Sequence, residues 1–363
     1  MPAEDHPAPV LEEGAPARWW RPEAGKILCY LCPRLCQIGD GQAGFCYIRV
    51  NCGGRLVSTG YAHPCAVNVD PIEKKPLNHF LPGSLSLSIG TAGCNMGCRF
   101  CQNWDMSKSR QEQVRSFELA PEDVVAAALR HDCRSISYTY NEPTIFGEYV
   151  IDVSRRARAE GLKNVMVTNG YITPEALPDV YEFIDAANVD LKAFTEDFYW
   201  KFTLSHLEPV LKALVEMRRR GVWVEITNLV IPTLNDAVSE TRDLARWILD
   251  NMGDETPLHF TAFHPDFKLT SLPRTPHTTI EAARREAIAL GLKHVYVGNV
   301  LSEEGSATFC PSCAKAVIRR SWHSVEEYAL VDGRCPCGRK IAGHFPPAPG
   351  GGRPRRMIFP VFR

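Results

Sequence analysis

Three cysteines are the residues of this chain best suited to carry chemistry. They lie in the run Cys94-Asn-Met-Gly-Cys98-Arg-Phe-Cys101, a C-x3-C-x2-C spacing that follows an apolar, strand-like stretch. Three thiolates can hold three irons of a 4Fe–4S cube, which takes a ligand on each of its four irons. The fourth iron would stay open to bind and activate a second molecule. Because an electron carrier normally supplies all four thiols, the spacing predicts a reactive cluster.

The segments that must position this loop alternate between short β-branched runs and amphipathic stretches. Strand-like runs lie at 85–89, 135–140, 164–168, 187–191, 222–230 and 257–263, with a further run at 295–297. Helical patterns, such as 121–130 and 206–220, separate them. This alternation predicts βαβ units and a parallel sheet, which right-handed crossovers would curl into a barrel or part of one.

Polar residues follow several of these runs. They are Asn141 and Glu142 after the second run, Thr168 and Asn169 at the third, Asp190 and Lys192 at the fourth, and His264 after the sixth. Taken singly, an acid at such a position is more often a helix cap or a surface charge. Because the functional residues of barrels gather at the carboxyl ends of the strands, the shared placement favours a site.

The cysteine spacing resembles the signature of the radical S-adenosylmethionine (SAM) superfamily. Its members usually have a Gly-Gly-Glu segment at the second strand, and this chain keeps the acid as Glu142 without the glycines. The D-x-K pair Asp190 and Lys192, with His264, resembles pyruvate formate-lyase-activating enzymes. The resemblance implies that Lys192 and His264 are catalytic and face the methionyl carboxylate or the substrate. The implied SAM-binding residues are Asn141, Glu142, Thr168, Asn169 and Asp190.

Longer motifs resemble the AmmeMemoRadiSam-system radical SAM enzymes, over about residues 27–343. These motifs include Cys29-Tyr-Leu-Cys32-Pro-Arg-Leu-Cys36, Gly41-Gln-Ala-Gly44-Phe-Cys46, Asp70-Pro-Ile-Glu-Lys-Lys-Pro76, His79-Phe-Leu-Pro-Gly83 and Val295-Tyr-Val-Gly-Asn299. The resemblance implies an α/β fold, a partial (β/α)6-type radical SAM barrel flanked by small Cys-rich metal-binding segments. It also implies a SAM-binding 4Fe–4S cluster and a radical mechanism, but it names no substrate.

Two further thiol groups flank the predicted barrel. The first group is Cys29, Cys32, Cys36 and Cys46, and the second is Cys310, Cys313, Cys335 and Cys337. Four soft ligands suit Zn²⁺ or an additional Fe–S cluster, and the spacing of the first group does not decide between them. The second group resembles a zinc ribbon whose Cys335-Pro-Cys337 knuckle is one residue short, so that His323 or His344 could replace a ligand.

Composition narrows the class of protein. The chain has 363 residues, 14 cysteines and a formal net charge of −1, which gives no electrostatic case for a nucleic-acid or membrane partner. Clustered thiols without a secretory signal favour metal ligands in a reducing cytoplasm over disulfides. We expect a flexible leader at 1–26, a Cys-rich region at 27–84, the barrel at 85–301, a zinc-ribbon-like segment at 302–345 and an extended tail at 346–363.

The favoured function is reductive cleavage of SAM to a 5′-deoxyadenosyl radical, which would abstract hydrogen from a small molecule or a peptide. Its electron donor would be flavodoxin- or ferredoxin-like. The two flanking thiol regions could cover the barrel mouth, which favours a small or thin substrate. One alternative is an enzyme that activates a glycyl-radical enzyme by acting on a protein partner. The other is a non-catalytic iron–sulfur or zinc scaffold or electron carrier.

Overall fold

The structure, a computed structural model, describes residues 14–346. Its N-terminal part contains two small antiparallel sheets, in the orders β1-β6-β5 and β2-β3-β4. Their strands are β1 (Ala15–Pro16), β2 (Trp20–Glu23), β3 (Lys26–Cys29), β4 (Cys36–Ile38), β5 (Arg49–Cys52) and β6 (Arg55–Ser58). The β3–β4 pair and the loop that follows it carry the first thiol group.

Residues 14–26 differ from the flexible leader that the sequence predicts for 1–26. β1 pairs with β6, and β2 pairs with β3 along its whole length. Trp19 is buried, and its indole nitrogen donates a hydrogen bond to Asp179 at 3.1 Å. The burial of this large aromatic side chain stabilises the packing of the segment, which its Pro- and Ala-rich composition does not predict. Residues 1–13 of the predicted leader lie outside the described residues.

The central sheet has eight strands in the order β14-β13-β12-β11-β10-β9-β8-β7. They are β7 (Ala66–Pro71), β8 (Leu85–Gly90), β9 (Ser135–Tyr138), β10 (Lys163–Thr168), β11 (Ala186–Asp190), β12 (Trp223–Val230), β13 (Leu258–Ala262) and β14 (Val295–Gly298). β8 to β14 are parallel, and β7 joins the edge in the antiparallel direction. The sheet is open between β7 and β14, so the α/β class with a largely parallel central sheet is confirmed without a closed barrel.

Helices follow the parallel strands and shield one face of the sheet. They are α1 (Trp104–Ser107), α2 (Pro121–Arg130), α3 (Gly147–Ala159), α4 (Leu177–Val180), α5 (Glu196–Phe198), α6 (Leu207–Arg219), α7 (Val238–Asn251), α8 (His277–Leu290) and α9 (Glu303–Ser306). α6 shows the pattern: Val210, Leu214 and Met217 recur at helical spacing and are buried. Among residues 14–346, every helix is too short or too polar to span a membrane.

The opposite face of the sheet carries hydrogen-bonded polar pairs beside a small apolar cluster. The Ser86 and Ser137 hydroxyls lie 2.6 Å apart, and the Thr227 hydroxyl donates to the Asn188 side chain at 2.9 Å. Asn188 in turn donates to the carbonyl of Pro76 at 2.7 Å, which places the segment between β7 and β8 on this face. Buried polar groups persist in a fold when they are hydrogen-bonded, so these pairs indicate a face built to hold polar contacts.

The C-terminal segment is a small unit attached to this polar side. Its sheet has the order β15-β16-β17, with β15 (Thr308–Phe309), β16 (Ala316–Ser321) and β17 (Ser324–Tyr328). Arg320 donates to the carbonyl of Asn78 at 2.7 Å, and the His344 amide donates to the carbonyl of His79 at 2.7 Å. Most of the predicted extended tail, residues 347–363, lies outside the described residues.

Two buried histidines at this junction make stability depend on pH. His79 has 0% exposure, and burial lowers its pKa to about 3; burial also lowers the pKa of His294 to about 4. An unfolded histidine titrates near pH 6.5, so below that pH the unfolded chain binds more protons than the fold. The contribution of these two histidines to the free energy of unfolding is therefore fully present above about pH 6.5 and is lost as the pH falls towards 4.

We expect urea denaturation to show a loss of about 1 to 2 kcal/mol for each of these histidines between about pH 6.5 and pH 5. His294→Gln should flatten this dependence, because it removes one of the two groups. His277→Gln is the matched control, since His277 is about half exposed. An equal pH slope in the His294→Gln protein and in wild type would contradict the assignment.

Candidate active site

The three central cysteines lie on a loop between β8 and α1, at the carboxyl end of β8. The loop has no regular structure, and its entry is fixed by Gly93, whose φ is +81°. A Cβ at Gly93 would lie 2.0 Å from the carbonyl oxygen of Cys46. Only glycine combines this backbone conformation with such a close approach. The loop of Cys94 is therefore packed directly against the N-terminal thiol region.

Asparagines at neighbouring strand ends hold this loop by hydrogen bonds. Asn141 donates to the carbonyl of Gly93 at 2.9 Å. Asn169 donates to the Asn95 side-chain oxygen at 2.9 Å, and Asn95 donates to the carbonyl of Tyr171 at 2.8 Å. Two of the residues predicted to contact SAM thus position the backbone and side chains of the cysteine loop.

The other side of the loop rests on the segment after β11. The amide of Gly97 donates to the carbonyl of Thr203 at 2.7 Å, and the amide of Arg99 donates to the carbonyl of Phe202 at 2.9 Å. The amide of Lys268 also donates to the carbonyl of Arg99 at 2.9 Å. Contacts from the ends of β9 and β10 and from the segments that follow β11 and β13 therefore hold the cysteine loop.

Glu142 is central to this arrangement but is enclosed. It has 0% exposure; one carboxylate oxygen accepts from the Thr144 amide at 2.9 Å and the Thr168 hydroxyl at 2.7 Å. The other accepts from the Asn169 amide at 2.7 Å. Burial raises the pKa of Glu142, and these hydrogen bonds oppose the shift. The carboxylate joins the ends of β9 and β10.

Asp190 and Lys192 form an ion pair of 2.6 Å beside the loop. The Asp190 side chain is 35% exposed, whereas that of Lys192 is 17% exposed. Burial disfavours the ammonium, but Asp190 and Cys98 outweigh burial and hold the pKa of Lys192 well above its usual range. The pair is thus partly open, so the Asp190 carboxylate is accessible to a ligand in a way that the buried Glu142 is not.

The ring of His264 has its polar contact with the backbone of Pro265 rather than with Asp190 or Lys192. It is half-buried just beyond β13, and its ring nitrogen lies 3.4 Å from the carbonyl of Pro265. The structure therefore brings Asp190 and Lys192 together, while the role of His264 stays a prediction.

The donor set of the loop fits an iron–sulfur cluster. Cys98 is buried, and Cys94 and Cys101 are half-buried. Burial raises the pKa of Cys94 to about 12 and also raises that of Cys98, while Lys108 opposes both shifts. Buried thiols of this kind become thiolates when a cation binds them. Cys94, Cys98 and Cys101 would hold a 4Fe–4S cluster with one iron free for SAM.

The C-terminal thiols converge on one point despite the shortened knuckle. Among residues 14–346, Cys310, Cys313, Cys335 and Cys337 are the group whose sulfurs all lie within 4.8 Å of one another. Cys310 and Cys337 sulfurs are 3.6 Å apart, as are those of Cys313 and Cys335. Four sulfurs at about 2.3 Å from a tetrahedral zinc stand about 3.8 Å apart. The geometry suits one zinc ion, and neither His323 nor His344 belongs to this group.

Comparison with known proteins identifies the class of domain that carries the cysteine loop. The model of the Radical SAM superfamily matches residues 88–247, which include the three cysteines and the ends of β8 to β12. An uncharacterized protein of Methanocaldococcus jannaschii, MJ0808, is 44% identical over 319 residues, covering 87% of this chain and 95% of the relative. The chain therefore contains a radical SAM domain.

Two further proteins are similar to part of the chain. The pyruvate formate-lyase-activating enzyme of Clostridium pasteurianum is 23% identical over 181 residues, covering 47% of this chain and 72% of that enzyme. The solved structure of a radical SAM methyltransferase from Sphaerobacter thermophilus aligns with a TM-score of 0.48 and 17% identity, over 61% of this chain and 68% of the other. The chain is thus related to the activating enzymes, as its sequence predicts.

Several residues of the site escape sequence reasoning. Lys108 donates to the carbonyl of Met96 at 2.6 Å, and Arg34 donates to the carbonyls of Asn95 and Leu204. Asn95 stands inside the cysteine motif, so its position could have signalled its role. Lys108 and Arg34 reach the loop only through the tertiary fold, and nothing in their local sequence indicates that.

We expect the full-length protein to hold about one zinc ion per chain at the C-terminal thiols. Cys310→Ala should lose this zinc and lower the free energy of unfolding by several kcal/mol, because the small C-terminal core depends on the metal. Zinc counting by mass spectrometry, with Cys65→Ala as the matched control, checks this. Unchanged zinc in the Cys310→Ala protein would show that the group does not bind it.

Proposed function

We propose that this chain is an AmmeMemoRadiSam-type radical SAM enzyme that abstracts hydrogen from a small molecule or an extended peptide. A reduced 4Fe–4S cluster held by Cys94, Cys98 and Cys101 would, with SAM bound, supply the electron that cleaves the S–C5′ bond into methionine and a 5′-deoxyadenosyl radical. The observation that carries the proposal is the cysteine loop, held by hydrogen bonds from four neighbouring segments and flanked by a partly open ion pair. A scaffold would not need a loop with three thiols and an accessible acid beside it.

The residues around the loop divide into positioning and contacting groups. Asn141, Glu142, Thr168 and Asn169 are engaged with one another or with the loop, so they would set its shape. Asp190 is the more exposed acid and would meet the SAM ammonium. Lys192, charged and close to Cys98, would attract a carboxylate of SAM or of the substrate.

A cavity lies on the polar side of the sheet, and its lining includes neither the cysteine loop nor Asp190 and Lys192. It has a volume of about 630 Å³ and lies between β13, β14, the 73–78 segment and the C-terminal unit. Thr261 and Asn299 line it from strand ends, and Lys74, Arg319 and Glu303 supply charge. Pockets of 300 to 1,000 Å³ are typical of small-molecule sites.

A second candidate follows from the relatives. Activation of a glycyl-radical enzyme is favoured by the similarity to pyruvate formate-lyase-activating enzymes of Clostridium pasteurianum and of Escherichia coli, at 23% and 22% identity. These matches cover 47% of this chain. We place this candidate second, because the matches that favour it cover less than half of this chain.

The remaining parts of the proposal concern cofactors, donor and location. Zinc at the C-terminal thiols and a metal at Cys29, Cys32, Cys36 and Cys46 would complete the cofactor set. A flavodoxin- or ferredoxin-like protein would supply the electron. A reducing cytoplasm would keep the cysteines as thiols, and all 14 are free of disulfides where the structure describes them.

Deuterium transfer distinguishes the two enzyme candidates. Reconstituted, reduced protein is given SAM and an extract of cells grown in deuterated medium, divided by ultrafiltration into small and large components. We expect deuterium in 5′-deoxyadenosine from the small fraction. His264→Ala should lower the deuterated share of the product more than total product, with the exposed His277→Ala as control. Transfer only from the large protein fraction would contradict the proposal and favour the glycyl-radical candidate.

A further inference from the structure

The four N-terminal thiols surround a cavity. Cys29, at the end of β3, lies directly opposite Cys36, at the start of β4. Cys32 comes from the turn between these strands, and Cys46 from the loop that follows β4. All four cysteines line one small cavity. Cys29 and Cys46 are buried, whereas Cys32 and Cys36 are half-buried.

The spacing of these thiols differs from that of the zinc-like group. Within residues 14–346, the sulfurs that crowd within 4.8 Å of one another are those of the C-terminal group. The N-terminal sulfurs instead stand around a space. One zinc ion draws four sulfurs to a single point, whereas a 4Fe–4S cube takes one thiolate at each of four separate irons. A cavity between four thiols therefore suits the cube.

A buried arginine provides an independent indication of a ligand in this cavity. Arg49 is 2% exposed and lines the cavity, and its Nη1 donates to both oxygens of Glu148 at 3.0 Å. Within the described part of the chain, its buried Nε has no hydrogen-bond partner. Leaving a buried donor unsatisfied costs about 1 to 3 kcal/mol. A cluster sulfur in the cavity would accept this hydrogen bond.

The cavity adjoins the loop of the SAM-binding cluster. Asn95, next to Cys94 in sequence, is one of its lining residues. Arg34 also lines it and donates to the Asn95 carbonyl. Cys46 itself contacts the loop, because its carbonyl oxygen occupies the space where a Cβ of Gly93 would stand. Ligands of the two sites thus come from chain segments in direct contact.

We propose that Cys29, Cys32, Cys36 and Cys46 hold a second 4Fe–4S cluster, ligated at all four irons, that passes electrons to the cluster of Cys94, Cys98 and Cys101. With no open iron it cannot bind SAM, so its role is electron transfer. A one-electron protein reductant reduces it at the side of the half-buried Cys32 and Cys36. It then loses one electron as the neighbouring cluster gains one. This relay rests on the proposed function, whereas the identity of the metal does not.

Iron and sulfide counts test the metal identity without any enzyme activity. A full-length variant with Cys94→Ala, Cys98→Ala and Cys101→Ala is reconstituted anaerobically. We expect about four irons and four sulfides per chain, with an EPR signal on reduction that SAM does not change. About two zinc ions per chain without iron, or no metal beyond the C-terminal zinc, would overturn the proposal.

A second variant tests the ligands and the relay if the first does not fold. Cys32→Ala with Cys36→Ala should lose about four irons and keep an EPR signal that responds to SAM. SAM cleavage driven by reduced flavodoxin should then fall by at least about tenfold, equivalent to about 1.4 kcal/mol in the barrier. Cys52→Ala, a nearby thiol outside the cavity lining, is the control and should keep its iron. An unchanged cleavage rate in the double variant would overturn the relay.

Discussion

The cysteine loop has no secondary structure of its own, so its shape depends on hydrogen bonds from neighbouring strand ends. Asn141 fixes the carbonyl of Gly93, and Asn169 fixes the side chain of Asn95. Glu142 fixes Asn169 in turn, because its carboxylate accepts the Asn169 amide. A cluster with only three protein ligands requires these ligands to be held at a set spacing, and the parallel sheet supplies the rigid points.

The same sheet separates two kinds of environment. Its helix-covered face is apolar and stabilises the fold, whereas its other face carries serine, asparagine, threonine, glutamate and histidine side chains in hydrogen-bonded pairs. Glu225 is an example of a buried acid on this face. It has 0% exposure, and its carboxylate is hydrogen-bonded to His259 at 2.7 Å and accepts from the amide of His79 at 2.8 Å. Burying such a charge is costly unless it is paired in this way. The 73–84 segment and the C-terminal unit complete these pairs and bound the cavity.

Much of the central sheet and of its helices could be predicted from the sequence because the signals for these elements are local. The helix expected at 121–130 is observed as Pro121–Arg130, with proline in the first turn and a buried Val124, Val125 and Ala128 face. The strand runs also recur at nearly the expected positions, since buried parallel strands are rich in β-branched residues. The three cysteines were evident because their spacing is itself the chemical signal.

The features that the sequence did not predict depend on contacts between residues that are far apart in the chain. β7 joins the sheet although its sequence, Ala66–Pro71, does not stand out as a strand; its pairing with β8 supplies the hydrogen bonds. The Cys335-Pro-Cys337 knuckle is short by pattern, yet its thiols converge with those of Cys310 and Cys313 because β15 and β16 bring the segments together. The different spacing of the two outer thiol groups is likewise a property of tertiary structure.

The most direct test of radical SAM chemistry at this loop is 5′-deoxyadenosine formation by full-length, reconstituted Cys98→Ala protein. Cys133→Ala is the matched control, because Cys133 is also buried but lies before β9, outside the loop. We expect the control to cleave SAM after reduction, and the Cys98→Ala protein to give no product above background while its circular dichroism stays that of the folded chain. SAM cleavage by a folded Cys98→Ala protein without a cluster at Cys94 and Cys101 would contradict the assignment.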